Sequence, residues 1–229
     1  MNETNETVGR RALVVGLGVG AAAMGAGAAR AAQAGAPTEP WRAAREAQDD
    51  WMELPGRHRM VFDATSAAAA GDAIDFADTY FFANKLGYGL APSDLAVVII
   101  LRHFATPFAF GDAVWSKYGA AFSAMITLND PATAKPATRN IHLTAPAKAD
   151  PEAASATLSA LAARGVRFAV CGLATSKIAG HLAGGDAAKA AAIRAELTAG
   201  LIPGARLVPA GIVALNRTQE RGYAIARMG

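Results

Sequence analysis

Residues 95–101 read LAVVIIL, a continuous apolar run in which no polar side chain alternates with an apolar one. The four residues in its middle are β-branched, which favours a strand over a helix. Pro92 precedes the run, and a charged pair, Arg102 and His103, follows it. A strand without a polar face must be covered on both sides, as happens in the parallel sheets of α/β proteins. The run therefore predicts a buried parallel strand.

Shorter apolar runs alternate with helical patterns on both sides of this strand. Strands are expected at 60–62, 166–170, 205–208 and 223–226. Helices are expected from Asp72 to about Gly87, from about Gly111 to Tyr118 or beyond, from Pro151 to about Arg164, at 186–197 and at 212–220. Residues 129–148 contain three prolines and are expected to form an irregular insertion. The alternation is typical of a three-layer α/β domain with a mainly parallel sheet of about five strands, placed at residues 58–229.

The first 34 residues have the three parts of an export signal. Arg10 and Arg11 precede an Ala- and Gly-rich apolar run, and Ala32 to Ala34 form an Ala-x-Ala ending. The paired arginines resemble a twin-arginine signal, which predicts a periplasmic protein with no stable membrane insertion after cleavage. A retained membrane anchor is the alternative. Residues 35–57 are expected to be a linker or a loosely docked N-terminal arm.

Composition excludes several classes of function. The 22 Lys and Arg residues barely exceed the 19 Asp and Glu residues, and no basic cluster is interleaved with aromatics, so nucleic acid is not an expected partner. The single cysteine excludes an internal disulfide and any multi-cysteine metal site. No phosphate-binding loop, dinucleotide fingerprint or serine-hydrolase elbow is present. We therefore expect no bound cofactor and no metal.

Ligands of open parallel sheets bind beyond the carboxyl ends of the strands. This rule selects Asp63, Arg102, His103 and Cys171. Gly172 lets a ligand or another backbone approach, and helix amides together with Lys177 would favour a nucleophilic thiolate at Cys171. His103 is a candidate acid or base, with Arg102 supplying positive charge.

Each of these residues also has a structural interpretation. Cys171 could be a small buried residue that ends a strand, and His103 a strand-end histidine bonded to backbone. A metal or cofactor site built around His103 is the weakest alternative, because His142 and His181 lack ligand spacing. The aromatic residues Phe104, Phe108, Phe110 and Trp115 are expected in the core or at a subunit interface.

Three segments resemble the DsrE/DsrF-like sulfur-relay family. They are GVRFAVCGLA at 165–174, the closing stretch from Leu207 to Ile212 with Gly222, Tyr223 and Ala224, and the strand and turn at 95–103. The resemblance implies a flavodoxin-like arrangement of layers, a cysteine at position 171 that carries sulfur as a persulfide, and assembly as a trimer or hexamer. The turn after residue 101 resembles an exported subgroup, and the sulfur donor and acceptor stay open. A non-catalytic periplasmic binding or assembly module, with a buried structural cysteine, is the alternative.

Overall fold

A five-stranded, all-parallel sheet with the order β4-β3-β2-β1-β5 organises the protein. The structure is a computed structural model that describes residues 42–145 and 156–229. The predicted signal segment, residues 35–41 and Pro151 lie outside the described residues. Residues 43–229 form one compact unit. The strands are β1 (His58–Ala64), β2 (Leu95–Leu101), β3 (Arg167–Cys171), β4 (Ala205–Val208) and β5 (Ala224–Met228).

Helices cover both faces of the sheet, which confirms the predicted α/β class and its three layers. In the described residues they are α1 (Ala67–Tyr88), α2 (Asp112–Ile126), α3 (Leu158–Ala163), α4 (Gly172–Leu182), α5 (Ala187–Ala199) and α6 (Gly211–Glu220). The first five contribute to the core on one face. The other face is covered by α6 and by side chains of the segment before β1, among them Trp51 and Leu54. This division follows from strand order, because only the last connection runs back across the sheet to reach β5.

Strand β2 lies in the middle of the sheet and is buried along its whole length. Val97, Ile99 and Leu101 point into the larger core, and Val98 and Ile100 into the smaller one. Because alternate side chains enter different apolar layers, the sequence of the strand carries no polar alternation.

The helices differ from expectation mainly at their starts. Helix α1 begins at Ala67, not near Asp72, and the Ser66 side chain caps it by accepting a hydrogen bond from the Ala69 amide at 3.1 Å. The spacing of Ile74, Phe76 and Phe81 predicts that all three lie on the buried face of this helix, but Phe76 is 56% exposed. Among the residues described, the helix expected from Pro151 begins at Leu158 and is capped by Thr157. The strands at 95–101 and 205–208 were predicted with their observed bounds, and the other three within two residues.

The insertion is irregular over its described part, residues 129–145, and is tied to the domain by buried polar contacts. Asn140 Nδ2 donates to the carbonyls of Phe108 and Phe110 at 2.8 and 2.9 Å. Its backbone amide donates to Asp112 Oδ1 at 2.8 Å. These bonds hold the 3-10 helix His103–Ala109, which follows β2, against the insertion.

The described part of the N-terminal arm packs against the domain. It forms a 3-10 helix, Ala47–Met52, whose Met52 side chain is fully buried. The Tyr223 hydroxyl donates to the Met52 carbonyl at 2.7 Å, and burial raises the pKa of this tyrosine to about 12. No helix of the described chain has the length and apolar character that a membrane crossing needs.

Candidate functional site

The carboxyl ends of β1, β2 and β3 meet at one edge of the sheet because the three strands are parallel neighbours. Asp63 of β1 is only 1% exposed, and it binds the side chain of Arg102, the residue after β2. Arg102 Nε and Nη2 donate to the two carboxylate oxygens at 2.7 and 2.8 Å. This two-point contact fixes the plane of the guanidinium. It anchors a positive charge at the end of the central strand.

The electrostatics of Arg102 link it to the cysteine. Its hydrogen bonds to Asp63 raise the pKa of the guanidinium most, and burial acts in the opposite direction. The charge of Asp63 and the charge that a Cys171 thiolate would carry raise the pKa further. Arg102 and Cys171 are therefore within electrostatic reach of each other.

Gly211, the first residue of α6, lets the Arg102 side chain cross the start of that helix. A Cβ atom at position 211 would lie 2.6 Å from Arg102 Cβ and 2.8 Å from its Cδ. Any larger residue would have to displace the arginine. Position 211 thus determines where the guanidinium lies.

Cys171 ends β3 and caps helix α4. Its Sγ accepts a hydrogen bond from the Ala174 amide at 3.4 Å, and the residue is 8% exposed. Amides at a helix N-terminus interact favourably with negative charge, so an anionic sulfur at this position would face them. The neighbouring Gly172 allows the approach of another backbone: a Cβ there would lie 2.7 Å from the Val208 carbonyl oxygen.

A pocket of about 210 Å³ brings most of the predicted site residues together. Arg102, His103, Cys171 and Lys177 line it, with Ala174, Gly211 and Ile212 among the remaining residues. Within the part of the chain that the structure describes, the Lys177 side chain forms no hydrogen bond or ion pair, so its ammonium is free to meet an anion. Gly172 lines an adjoining pocket instead. The site is a thiol beside three basic side chains.

His103 lies at the rim of this pocket with an unusual backbone conformation. Its φ is +57°, in the left-handed region that few non-glycine residues adopt. The ring is exposed and stacks on Phe104, with centroids 4.9 Å apart. The turn is held by the Arg102 and Phe104 amides, which donate to the carbonyls of Ala64 and Thr65 at 3.1 Å each.

The two histidines that lack ligand spacing in the sequence, His142 and His181, lie in different places. His181 and His103 line a neighbouring apolar pocket of about 240 Å³, together with Phe104 and Met125. His142 is instead half-buried against Phe108, and its removal from solvent lowers its pKa to about 4. In the described ranges, no group of three or more His, Cys, Asp or Glu side chains could hold a metal ion.

The aromatic residues near the site serve mostly as core. Phe108, Phe110 and Trp115 are fully buried, and the Trp115 indole donates to the Pro107 carbonyl at 2.9 Å. Of these four aromatic residues, Phe104 is the exposed one, at 46%. Sequence reasoning selected Asp63 by its place at a strand end but gave it no role, and it missed Gly211 and Ile212. Their contribution depends on how α6 returns across the sheet, which no local pattern indicates.

No known family model matches the chain, and comparisons with curated proteins and with solved structures found no similar protein.

Proposed function

We propose that this chain is an exported DsrE/DsrF-like protein that handles sulfane sulfur at Cys171, as a persulfide carrier or sulfurtransferase. The observation that carries the proposal is the setting of the only cysteine. Cys171 lies at the carboxyl end of a central strand, at a helix N-terminus, in a pocket with Arg102, His103 and Lys177. These groups would surround the anionic sulfur that attacks a donor, because the thiolate is the nucleophilic form of cysteine.

The proposed step is an attack by the Cys171 thiolate on the terminal sulfur of a persulfide or polysulfide donor. A new S–S bond forms at Cys171, the donor's S–S bond breaks, and its electron pair leaves with the donor as a thiolate. The amides at the start of α4, Arg102 and Lys177 would stabilise the anionic sulfur. His103, at the rim, would hold or supply a proton for the leaving group.

Intact-protein mass spectrometry tests the proposal directly. After incubation with inorganic polysulfide and removal of the excess, we expect one added sulfur atom on the native protein. The adduct should disappear after reduction, and it should be absent from Cys171→Ser. A wild-type protein that gains no sulfur from polysulfide or from an organic persulfide contradicts the proposal.

A second candidate is a non-catalytic periplasmic binding or assembly module with a structural cysteine. The 8% exposure of Cys171 favours it, because free cysteine is among the most buried residue types. This alternative predicts slow labelling by iodoacetamide in the native state and rapid labelling after unfolding. Native labelling faster than that of the unfolded chain would exclude it.

Assembly and location are also part of the proposal. The family resemblance implies a homotrimer or homohexamer, and the twin-arginine signal implies the periplasm. Large apolar side chains are exposed toward the end of α1 and offer a candidate contact surface; they are Phe82, Leu86 and Tyr88. Light scattering coupled to size exclusion measures the assembly, and a monomer at micromolar concentration would contradict it.

A further inference from the structure

A second pocket adjoins the cysteine pocket and is larger, at about 380 Å³. It lies beside β4, the edge strand, where the start of α4, helix α5 and the 3-10 helix Ala47–Met52 come together. Leu173 lines both pockets, and Gly172, the residue after the cysteine, lines this one. A small molecule held here therefore lies against Gly172, the residue that directly follows Cys171.

Two arginines from different elements line this pocket. Arg194 of α5 donates from Nε to Ser176 Oγ at 2.9 Å, which orients its guanidinium. Its two terminal nitrogens have no hydrogen-bond partner in the described residues. Arg206 of β4 lies 3.3 Å from Asp50 Oδ1, in a pair whose two side chains are largely exposed. Arg206 Nη1 donates to this Asp50 oxygen, so in the described residues Arg206 offers its remaining nitrogens to an anionic ligand, and Arg194 offers both of its terminal nitrogens.

The pocket also contains an acidic residue, Asp49, whose carboxylate faces two arginines that do not line the pocket. Asp49 is 8% exposed, and its Oδ2 lies 3.5 Å from Arg217 and 3.8 Å from Arg221. These arginines belong to α6 and to the residue that follows it. Asp49 is therefore paired away from Arg194 and Arg206, and the carboxylate that Arg206 meets is the exposed Asp50. Trp51 forms an apolar part of the wall.

We infer that this arginine pocket, lined by Arg194 and Arg206, binds the carboxylate of a small organic persulfide and so presents its sulfur to Cys171. Guanidinium groups bind carboxylates through paired, charge-assisted hydrogen bonds, which give both affinity and direction. The inference rests on the proposed function and adds the class of donor. The site selects a donor with a carboxylate over one without.

The sulfur transfer needs only the donor and the protein. The Cys171 thiolate attacks the outer sulfur of R–S–SH, a bond forms between the two sulfurs, and the inner S–S bond breaks with its electron pair on R–S⁻. The outer sulfur keeps its proton, so the products are R–S⁻ and a Cys171 persulfide. No oxidant or reductant is consumed.

The test compares two donors on three proteins. Glutathione persulfide carries carboxylates, and cysteamine persulfide carries none. We measure the rate of sulfur addition to Cys171 for wild type, for Arg194→Gln combined with Arg206→Gln, and for Arg167→Gln. Arg167 is an exposed arginine at the amino-terminal end of β3, the end opposite Cys171, and so controls for the loss of a positive charge.

The expected result is a preference for glutathione persulfide in wild type and in Arg167→Gln. The double variant should reduce this preference by about tenfold or more, the effect of losing hydrogen bonds to a charged group. An unchanged preference in the double variant, or no preference in wild type, overturns the inference while leaving the proposed function intact.

A binding measurement separates the pocket from the chemistry. In a Cys171→Ser background, calorimetry with S-methylglutathione should detect binding that the two arginine substitutions weaken by about tenfold. Absence of binding overturns the inference even if polysulfide adds sulfur to the wild type. Binding without sulfur transfer from any donor would instead overturn the proposed function and leave the pocket assigned.

Discussion

Gly211 controls the position of the Arg102 charge, and this can be tested without removing any charged group. In Gly211→Ala the new methyl group would overlap Arg102 Cβ and Cδ, so the guanidinium must move. Loss of its attraction for the Cys171 thiolate, about 1 kcal/mol, should slow sulfur addition about fivefold. The rate of persulfide formation at neutral pH is the measurement.

Gly87→Ala is the matched control for this substitution. Gly87 is also helical, but a Cβ there meets no atom within 4 Å. Alanine in an open helical position should keep the rate of sulfur addition and leave stability equal or slightly higher. Equal rates for Gly211→Ala and Gly87→Ala would show that Arg102 does not assist the cysteine.

His142 should make the protein sensitive to mild acid. Its pKa is lowered by burial from 6.5 to about 4, so between these values the unfolded chain binds a proton that the folded chain does not. The contribution of His142 to the free energy of unfolding is therefore fully present above about pH 6.5. It falls as the pH approaches 4, by about 3 kcal/mol in total. Urea unfolding at about pH 7 and about pH 5 should give a loss of about 2 kcal/mol from this residue.

His142→Gln removes the titrating group and should flatten this part of the pH dependence. His58→Gln, which removes an exposed imidazole at the start of β1, should leave it as steep as in wild type. If His142→Gln and wild type lose the same stability between these pH values, the imidazole is not the group responsible.

Elements could be predicted from the sequence where a pattern had one physical cause. Strand β2 was predicted with its observed bounds because its burial on both faces removes polar residues altogether. The start of α1 was missed because residues 67–71 are four alanines and a glycine, which have no apolar periodicity. Ser66, the observed cap, was the available signal, since serine before an alanine run is a strong start. Asp72 is also a favoured capping residue, but it lies about one and a half turns beyond the observed start of the helix.

The N-terminal arm is held to the domain by Tyr223, which lies between the end of α6 and the start of β5. Tyr223→Phe removes the hydrogen bond to the Met52 carbonyl. That carbonyl keeps a second bond from the Leu54 amide at 2.9 Å, so the expected cost is one hydrogen bond, about 1 kcal/mol. Hydrogen exchange of residues 47–54 should accelerate together with this loss of stability.

Tyr88→Phe is the control for Tyr223→Phe, because Tyr88 is 79% exposed at the end of α1. Removal of the Tyr88 hydroxyl should change neither the free energy of unfolding nor hydrogen exchange at residues 47–54. The same rates of exchange in both variants would mean that packing alone, without the hydroxyl, holds the segment.

At the scale of the molecule, the order of the strands brings the residues of the cysteine pocket together. The rule of strand ends selected Asp63, Arg102, His103 and Cys171 from sequence, because parallel neighbours end at one edge. The arginine pocket could not be predicted in this way. Arg194 and Arg206 lie on an exposed helix face and an edge strand, where charged residues are ordinary, and only the fold brings them together.

The whole molecule is also suited to export after folding, which the twin-arginine prediction requires. Residues 43–229 form one unit, and with a single cysteine the chain needs no disulfide to reach its folded state. Arg10→Lys combined with Arg11→Lys keeps the charge but removes the arginine pair, and should leave the protein in the cytoplasm of a host with twin-arginine export. Arg30→Lys, a single exchange near the cleavage site, should reach the periplasm as wild type does. Fractionation followed by immunoblotting measures both, and equal periplasmic amounts of the two variants would rule out this route.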